Sequence, residues 1–289
     1  MISKDSMTTI RKAGVIGAGT MGNGIAQACA ASGVPVVMLD IDQRAVDRGV
    51  AAIGGSLDRL VKKEKITPAD KDAALGRVHA TTSYDDLAEC DIVIEAAPEN
   101  VELKLRILRE VDKRIKTGGI LASNTSSISI TTMAAALSRP DAFVGLHFFN
   151  PVPMMALVEV VSGMQTSDET REAATVFAKE LGKTPIQVRN SPGFAVNRIL
   201  CPMLNEAVFA LQDGVATAEA IDEGMKLGCS HPIGPLALCD LIGLDVLLAV
   251  MNVLCEDFND PKYRPAPLLK EMVAAGRLGR KTKRGFFTY

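Results

Sequence analysis

The feature that most constrains this chain is a glycine-rich turn between an apolar run and a helical stretch. The motif Gly17-Ala-Gly19-Thr-Met-Gly22 follows the apolar run 13–16 and begins a segment with helical spacing at 20–32. In such a turn the first glycine permits a sharp bend, the second lets a ligand approach the backbone, and the third lets the helix pack closely. The order strand, turn, helix makes the pattern far more specific than the glycine spacing alone.

The same region carries a carboxylate at the position expected for a nucleotide site. The second apolar run ends at Asp40, eighteen residues after Gly22. The helix start offers N–H groups to phosphates, and a carboxylate after the second strand accepts hydrogen bonds from ribose hydroxyls and repels a 2′-phosphate. We therefore predict an NAD site, with Arg44 as a nearby cation that weakens discrimination against NADP. The residues predicted for this NAD site are Gly17, Gly19, Thr20, Met21, Gly22 and Asp40.

The chain divides into two parts with different patterns. Up to about residue 190, apolar runs alternate with amphipathic segments, which predicts strands at 13–18, 34–40, 90–96, 119–123, 142–147, 155–161 and 185–189 and helices at 20–32, 42–63, 99–116 and 168–182. Beyond residue 192 only helical spacing continues, at 194–213, 217–227, 235–256 and 266–275. We predict an α/β N-terminal Rossmann-like doubly wound sheet over residues 1–190 and an all-α C-terminal domain over residues 191–289.

Composition excludes several classes of partner. The formal net charge is -2 and charged residues make up 23%, so no bulk charge favours nucleic acid or a membrane surface. Residues 1–12 lack the apolar core of a signal peptide, and the apolar segment 241–254 is too short for a membrane span and predicts a buried helix. These features predict a cytoplasmic protein without nucleic-acid or membrane partners.

The six cysteines predict neither disulfides nor a metal site. None forms a C-x-x-C pair, and the three histidines do not accompany them at ligand spacing. Scattered cysteines in apolar stretches are typical of buried, reduced thiols.

His147 and Glu159 form a candidate acid–base pair. His147 ends an apolar strand, where open α/β sheets place their active sites, and histidine titrates near neutral pH. A histidine in an apolar run is more often a core residue, but Glu159, twelve residues on, interrupts a strand that is otherwise suited to burial. A buried carboxylate needs a partner, and pairing with histidine would orient the imidazole and raise its basicity.

Motifs along nearly the whole chain resemble one enzyme family. They are Gly17–Gly22, Val93-Ile-Glu-Ala-Ala-Pro-Glu-Asn100, Ser123-Asn-Thr-Ser-Ser127, Gly145–Pro153, Ser191-Pro-Gly-Phe-Ala-Val-Asn-Arg198, Lys226-Leu-Gly, His231-Pro-Ile-Gly-Pro235 and Gly285-Phe-Phe. Together they resemble the short-chain L-3-hydroxyacyl-CoA dehydrogenase family, which includes bacterial 3-hydroxybutyryl-CoA dehydrogenases. The resemblance implies reversible NAD-dependent oxidation of a (S)-3-hydroxyacyl-CoA to a 3-ketoacyl-CoA, and a homodimer formed through the helical substrate-binding domain.

The resemblance also implies roles for single residues. His147 is the catalytic acid–base and Glu159 its partner, while Ser126 and Asn197 hydrogen-bond the reacting oxygen of the substrate. The remaining implied positions are Glu99, Lys104 and Asn124 at the cofactor, Asn150 at the substrate, and Ser56 and Lys63 at the coenzyme A moiety. Lys63 lies in the charged run 62–65, which suits a solvated helix face equally well.

Two other functions stay open at this point. Small 3-hydroxyacid dehydrogenases share the two-domain plan but use a lysine of the helical domain, where this chain has Asn197-Arg198. The second is a dinucleotide-binding protein without catalytic activity, which stays open because a fold alone does not establish activity. The presence of His147, Glu159 and Ser126 with Asn197 favours the catalytic hypothesis.

Overall fold

The structure is a computed structural model that describes residues 9–289. Residues 1–8, on which the prediction about a signal peptide mainly rests, lie outside the described part. The chain separates into two compact units, and the boundary falls between Asn190 and Ser191.

The first unit is built on one sheet of eight strands. These are β1 (Ala13–Ile16), β2 (Val36–Leu39), β3 (Val78–Thr81), β4 (Ile92–Glu95), β5 (Ile120–Ser123), β6 (Phe143–Phe148), β7 (Leu157–Ser162) and β8 (Thr184–Arg189), in the spatial order β3-β2-β1-β4-β5-β6-β7-β8. The first six strands pair in parallel, β7 runs antiparallel to β6, and β8 is parallel to β7. The order reverses between β1 and β4, which is the Rossmann switch point, and the predicted fold class is confirmed.

Helices connect the strands of this unit. They are α1 (Thr20–Ala31), α2 (Gln43–Lys62), α3 (Pro68–Leu75), α4 (Val101–Asp112), α5 (Ile130–Ala134) and α6 (Asp168–Glu180). The main core cluster joins α1 and α6 with alternate strand residues such as Val144 and Leu146. Strand residues alternate between faces, so Gly145 and His147 face the opposite side of the sheet. On that side a Cβ at Gly145 would meet Ile130 of α5.

Three elements were not predicted from the sequence. β3 is an edge strand whose residues are half-buried or exposed, so its sequence lacks a regular apolar pattern. α3 begins at a complete capping box between Thr67 and Asp70, but only Ala74 of this helix is buried. α5 spans just five residues, which is too short for helical periodicity to show.

The second unit is all-helical. Its helices are α7 (Val196–Gln212), α8 (Ala218–Cys229), α9 (Pro235–Ile242), α10 (Leu244–Phe258) and α11 (Pro267–Ala274), and their core includes Leu204, Leu236, Leu247 and Leu269. The prediction of one helix over 235–256 is wrong. Gly243 has φ +105°, a conformation that breaks the helix and that residues with a side chain rarely adopt, so α9 and α10 meet at a bend of 97°.

Within residues 9–289 no single helix is long and apolar enough to cross a membrane, although α9 and α10 together satisfy the length and composition of a broken span. All six cysteines are free thiols. Burial raises the pKa of Cys29 and of Cys201 to about 12, so these two thiols stay protonated at neutral pH.

Candidate active site

The glycine turn forms the start of the site at the carboxyl end of β1. Gly17 has φ +101°, and a Cβ there would lie 2.7 Å from Ala96 O. A Cβ on Gly22 would lie 1.6 Å from Gly17 O, so the first turn of α1 packs directly on the loop. Gly19 is the N-cap of α1, no side chain caps the helix there, and a Cβ on it would meet nothing within 4 Å. Thr20 and Met21 follow in the first helical turn, and this open, uncapped helix start fits a pyrophosphate.

Asp40 lies beside this turn, immediately after β2. Its Oδ2 accepts a hydrogen bond of 2.6 Å from Ala18 N, and its Oδ1 accepts one of 2.7 Å from Ile41 N. The carboxylate is half-buried and keeps further lone pairs that a ribose hydroxyl can use. The end of β2 and the glycine turn are thus held together at the position predicted for the adenosine end of NAD.

His147 and Glu159 are opposite each other on the antiparallel strands β6 and β7. His147 Nδ1 lies 2.7 Å from Glu159 Oε2, and the two residues are 6% and 0% exposed. A carboxylate accepts hydrogen bonds, so Nδ1 donates, and the basic lone pair of the resulting tautomer is on Nε2. The His147 ring also contacts Phe149, with ring centroids 4.6 Å apart.

The register of the sheet places several polar side chains on one face at its carboxyl edge. Glu95, Ser123 and Gly145 are partners across β4, β5 and β6, and His147 is two residues beyond Gly145 on the same face. The polar residues of this edge therefore belong to three adjacent strands rather than to one loop.

The turn 123–127 carries Ser126 and is held by Glu99. Glu99 Oε1 accepts hydrogen bonds from Ser126 N at 3.0 Å, from Ser127 N at 3.2 Å, from Ser127 Oγ and from Thr125 Oγ1. Although 38% of the Glu99 side chain is accessible, burial of the carboxyl disfavours its charged form and by itself acts to raise the pKa of Glu99. The charge of Lys104 and these hydrogen bonds outweigh burial, and the pKa is lowered from its ordinary value. The ionised Glu99 carboxylate therefore stabilises the folded protein. This contribution is fully present above the ordinary carboxyl pKa and is lost as the pH falls through the lowered pKa of Glu99.

Lys104 is buried beneath this turn and faces Glu95, which sequence reasoning did not single out. Lys104 Nζ donates to both carboxylate oxygens of Glu95, at 2.8 and 3.0 Å, and to Ala97 O at 2.9 Å. Its distance to Glu99 Oε2 is 3.3 Å. Ser123 Oγ donates to Glu95 Oε2 at 2.6 Å. The available signal was a carboxylate that ends the apolar run 92–95, the same signal that identified Glu159.

Asn124 and Asn150 flank the His147 strand end. Asn124 Oδ1 accepts a hydrogen bond of 2.9 Å from Phe148 N, and Asn150 is exposed at the start of the loop 149–156. Lys183 is a further residue that the sequence did not indicate. Its Nζ donates to Val152 O at 2.6 Å and to Met155 O at 2.9 Å, and these hydrogen bonds anchor the loop 149–156. Burial lowers the pKa of Lys183.

The remaining predicted residues lie elsewhere in the chain. Ser56 is half-buried on α2, and Lys63 is the exposed C-cap of the same helix. Asn197 is the second residue of α7, in the helical unit. Within residues 9–289, no group of three or more His, Cys, Asp or Glu side chains is placed to hold a metal ion.

Comparison with known proteins defines the class. Residues 12–191 match the NAD-binding domain of 3-hydroxyacyl-CoA dehydrogenase, and residues 193–289 match the C-terminal domain of the same family. The chain belongs to the 3-hydroxyacyl-CoA dehydrogenase family, and it is an NAD-dependent dehydrogenase. The resemblance and the cofactor predicted from the sequence are thereby confirmed.

Three relatives are similar to this chain over nearly its whole length. The chain is 54% identical over 278 residues to a probable 3-hydroxybutyryl-CoA dehydrogenase of Deinococcus radiodurans, covering 96% of this chain and all of the relative. It is 52% identical to a 3-hydroxybutyryl-CoA dehydrogenase of Bradyrhizobium diazoefficiens, covering 97% and 96% of the two chains. The crystal structure of (S)-3-hydroxybutyryl-CoA dehydrogenase from Ralstonia eutropha superimposes with a TM-score of 0.95 at 64% identity, covering 97% and 99%.

Proposed function

We propose that this enzyme catalyses the reversible oxidation of (S)-3-hydroxybutyryl-CoA to acetoacetyl-CoA with NAD, using His147 and Glu159 as its acid–base pair. The observation that carries the proposal is the buried 2.7 Å contact between His147 Nδ1 and Glu159 Oε2 at the carboxyl edge of the sheet. The names of the Deinococcus, Bradyrhizobium and Ralstonia relatives support the choice of substrate.

His147 moves the proton of the reaction. As the C3–O bond becomes a carbonyl, the hydroxyl proton passes to His147 Nε2, and the reverse direction uses the imidazolium as the acid. Bound NAD supplies the carbon that accepts the hydride from C3. Glu159 carries the negative charge that stabilises the imidazolium, and burial strengthens this interaction because water does not screen it.

Further polar residues are proposed for the reaction. Ser126, on the turn that Glu99 holds, is the proposed donor to the 3-oxygen, and Asn197 is proposed as a second donor from α7. Asn150 positions the substrate beside His147. At the cofactor we propose Gly17, Gly19, Thr20, Met21, Gly22 and Asp40 for the adenosine and pyrophosphate part, and Glu99, Lys104 and Asn124 near the nicotinamide.

Asp40 should determine the choice between NADH and NADPH. We expect kcat/KM for NADH to exceed that for NADPH by about 100-fold or more, because placing like charges together costs several kcal/mol. Asp40→Ala should reduce this ratio at least about tenfold. Asp42→Ala removes a neighbouring carboxylate that only caps α2, by accepting from Ala45 N at 2.8 Å, and should leave the ratio unchanged. Equal kcat/KM for the two cofactors in the wild-type enzyme would contradict the assignment.

The coenzyme A moiety should be required for turnover. Ser56 and Lys63 are seven residues apart, so they lie on one face of α2 with a cation at its exposed end. In assays with NADH, acetoacetyl-CoA should be reduced and free acetoacetate should not. Lys63→Ala should raise KM for acetoacetyl-CoA about threefold with little change in kcat, as expected for an exposed charge contact made equally in ground and transition states. Lys65→Ala is the matched control, and an equal effect of both variants would exclude a specific contact.

We propose a cytoplasmic homodimer. Large apolar side chains are exposed on the helical unit, among them Ile199, Leu227, Leu241 and Val246, and such surface favours burial against a second copy. Sedimentation equilibrium should then give twice the chain mass of 30.7 kDa, and a mass of one chain at micromolar concentration would exclude the dimer.

A further inference from the structure

Glu95 is a buried carboxylate with no role in the mechanism above. Its side chain is 0% exposed, at the end of the central strand β4, and Lys104 opposite it is 1% exposed. Burying a carboxylate and an ammonium is costly unless both are paired and hydrogen-bonded. Both are: two oxygens of Glu95 face the Lys104 ammonium, Ala97 N donates to Glu95 Oε1 at 2.6 Å, and Ser123 Oγ donates to Glu95 Oε2.

Glu95 is connected to the turn 123–127 by two routes, the first through hydrogen bonds and the second through the ion pair between Lys104 and Glu99. On the first, Ser123 Oγ donates to Glu95 and accepts from Thr125 N at 3.2 Å, while Asn124 N donates to Glu95 O at 2.8 Å. On the second, Lys104 brings its charge within 3.3 Å of Glu99 Oε2, and Glu99 Oε1 accepts from Ser126 N.

The turn 123–127 is also connected to the strand of His147. Asn124 Oδ1 accepts from Phe148 N, the amide that follows His147. One continuous set of hydrogen bonds therefore joins β4, β5 and β6 at the edge where the register places His147. Buried networks whose members are all satisfied are rigid, and a single unsatisfied member disturbs the rest.

We infer that Glu95 is a positioning residue, which sets the conformation of the turn 123–127 and thereby the cofactor and substrate groups of Asn124 and Ser126. Being fully buried, it acts through Ser123, Lys104 and Glu99 rather than by touching a ligand. Its effect on NADH binding rests on the established family, and only its effect on the substrate rests on the proposed function.

Two substitutions test this inference. Glu95→Gln should raise the NADH dissociation constant about tenfold and accelerate hydrogen–deuterium exchange of amides 124–127 in the cofactor-free protein. Ser123→Ala keeps the Glu95–Lys104 pair, so it should lower the Tm less than Glu95→Gln does. It should nevertheless accelerate exchange of the same amides and weaken NADH binding about threefold. Because both act through one network, the double variant should bind NADH no more weakly than Glu95→Gln alone.

Asp91 provides the matched control at the other end of β4. It accepts from Arg11 N and Lys12 N and pairs with Lys116, so Asp91→Asn removes a carboxylate that also holds a lysine and backbone amides. This control should leave NADH affinity and exchange at 124–127 unchanged. Equal exchange at 124–127 in wild type and Ser123→Ala, or losses of NADH affinity that multiply in the double variant, would overturn the inference. Failure of wild-type enzyme to reduce acetoacetyl-CoA would instead reject the proposed substrate and leave these binding and exchange results interpretable.

Discussion

Replacing His147 by Gln should lower kcat by about a hundredfold or more, the usual contribution of a positioned general base. Glu159→Gln keeps a hydrogen-bond acceptor at 159 but removes the charge that stabilises the imidazolium, so kcat should also fall steeply. The two residues form one unit in the structure, with 2.7 Å between His147 Nδ1 and Glu159 Oε2. The double variant should therefore be much less impaired than the product of the two single losses. Steady-state kinetics with NADH and acetoacetyl-CoA measure all three.

The chain contains a second histidine–carboxylate pair that serves as a control. His79 Nε2 lies 3.3 Å from Asp86 Oδ2 at the edge strand β3, where both side chains are exposed. His79→Gln should leave kcat unchanged, and NADH affinity should stay near the wild-type value in every one of these variants. Fully multiplicative losses at 147 and 159 would show that the residues act separately. A Glu159→Gln enzyme with normal kcat and a lower Tm would reduce Glu159 to a structural partner.

Substitutions in the glycine turn should have the second large effect. Different glycines of the turn should affect NADH affinity and folding stability to different extents. Gly22→Ala would bring a Cβ to 1.6 Å from Gly17 O, so α1 must move away from the turn. We expect this overpacking to cost about 1–3 kcal/mol of unfolding free energy. NADH affinity should fall on the order of 100-fold, because the helix start no longer meets the phosphates in place.

Gly19→Ala adds the same methyl group where the protein leaves open space and where φ is -66°, which alanine adopts without strain. Its Tm should equal that of the wild type, while NADH affinity should fall about tenfold, because the Cβ occupies the approach of the pyrophosphate. Gly54→Ala on α2, also in open space, should leave NADH affinity unaltered. Titration of NADH fluorescence and thermal melts test these variants. Unchanged affinity in Gly19→Ala would place the phosphates elsewhere.

Much of the first unit was predictable because local physics determines it. Most apolar runs became buried strands, with β8 as the exposed exception, and the glycine spacing predicted the positive φ of Gly17 and the close packing of Gly22. A carboxylate in an apolar strand signals that a partner must exist, and the sequence alone therefore indicated that Glu159 pairs with His147.

The rest depends on tertiary context that sequence spacing does not contain. Glu95 is also a carboxylate in an apolar strand. Its partner Lys104, however, lies on an amphipathic helix, where a lysine is normally a surface residue. The break at Gly243 was missed because apolar residues continue on both sides of it, and only the observed φ shows the bend. Lys183 anchors a loop through backbone carbonyls, which leave no trace in the sequence.

The antiparallel pairing of β6 and β7 makes the geometry of the proposed acid–base pair independent of the loop that joins the two strands. His147 and Glu159 are matched across a ladder, so the distance between them follows from strand register and not from the path of the loop 149–156 that joins the strands. A shift of register by a single residue would turn one of the two side chains to the opposite face of the sheet and dissolve the pair, whereas a change in loop sequence leaves the ladder intact. The loop 149–156 can thus change in sequence while the proposed proton-transfer pair keeps its geometry.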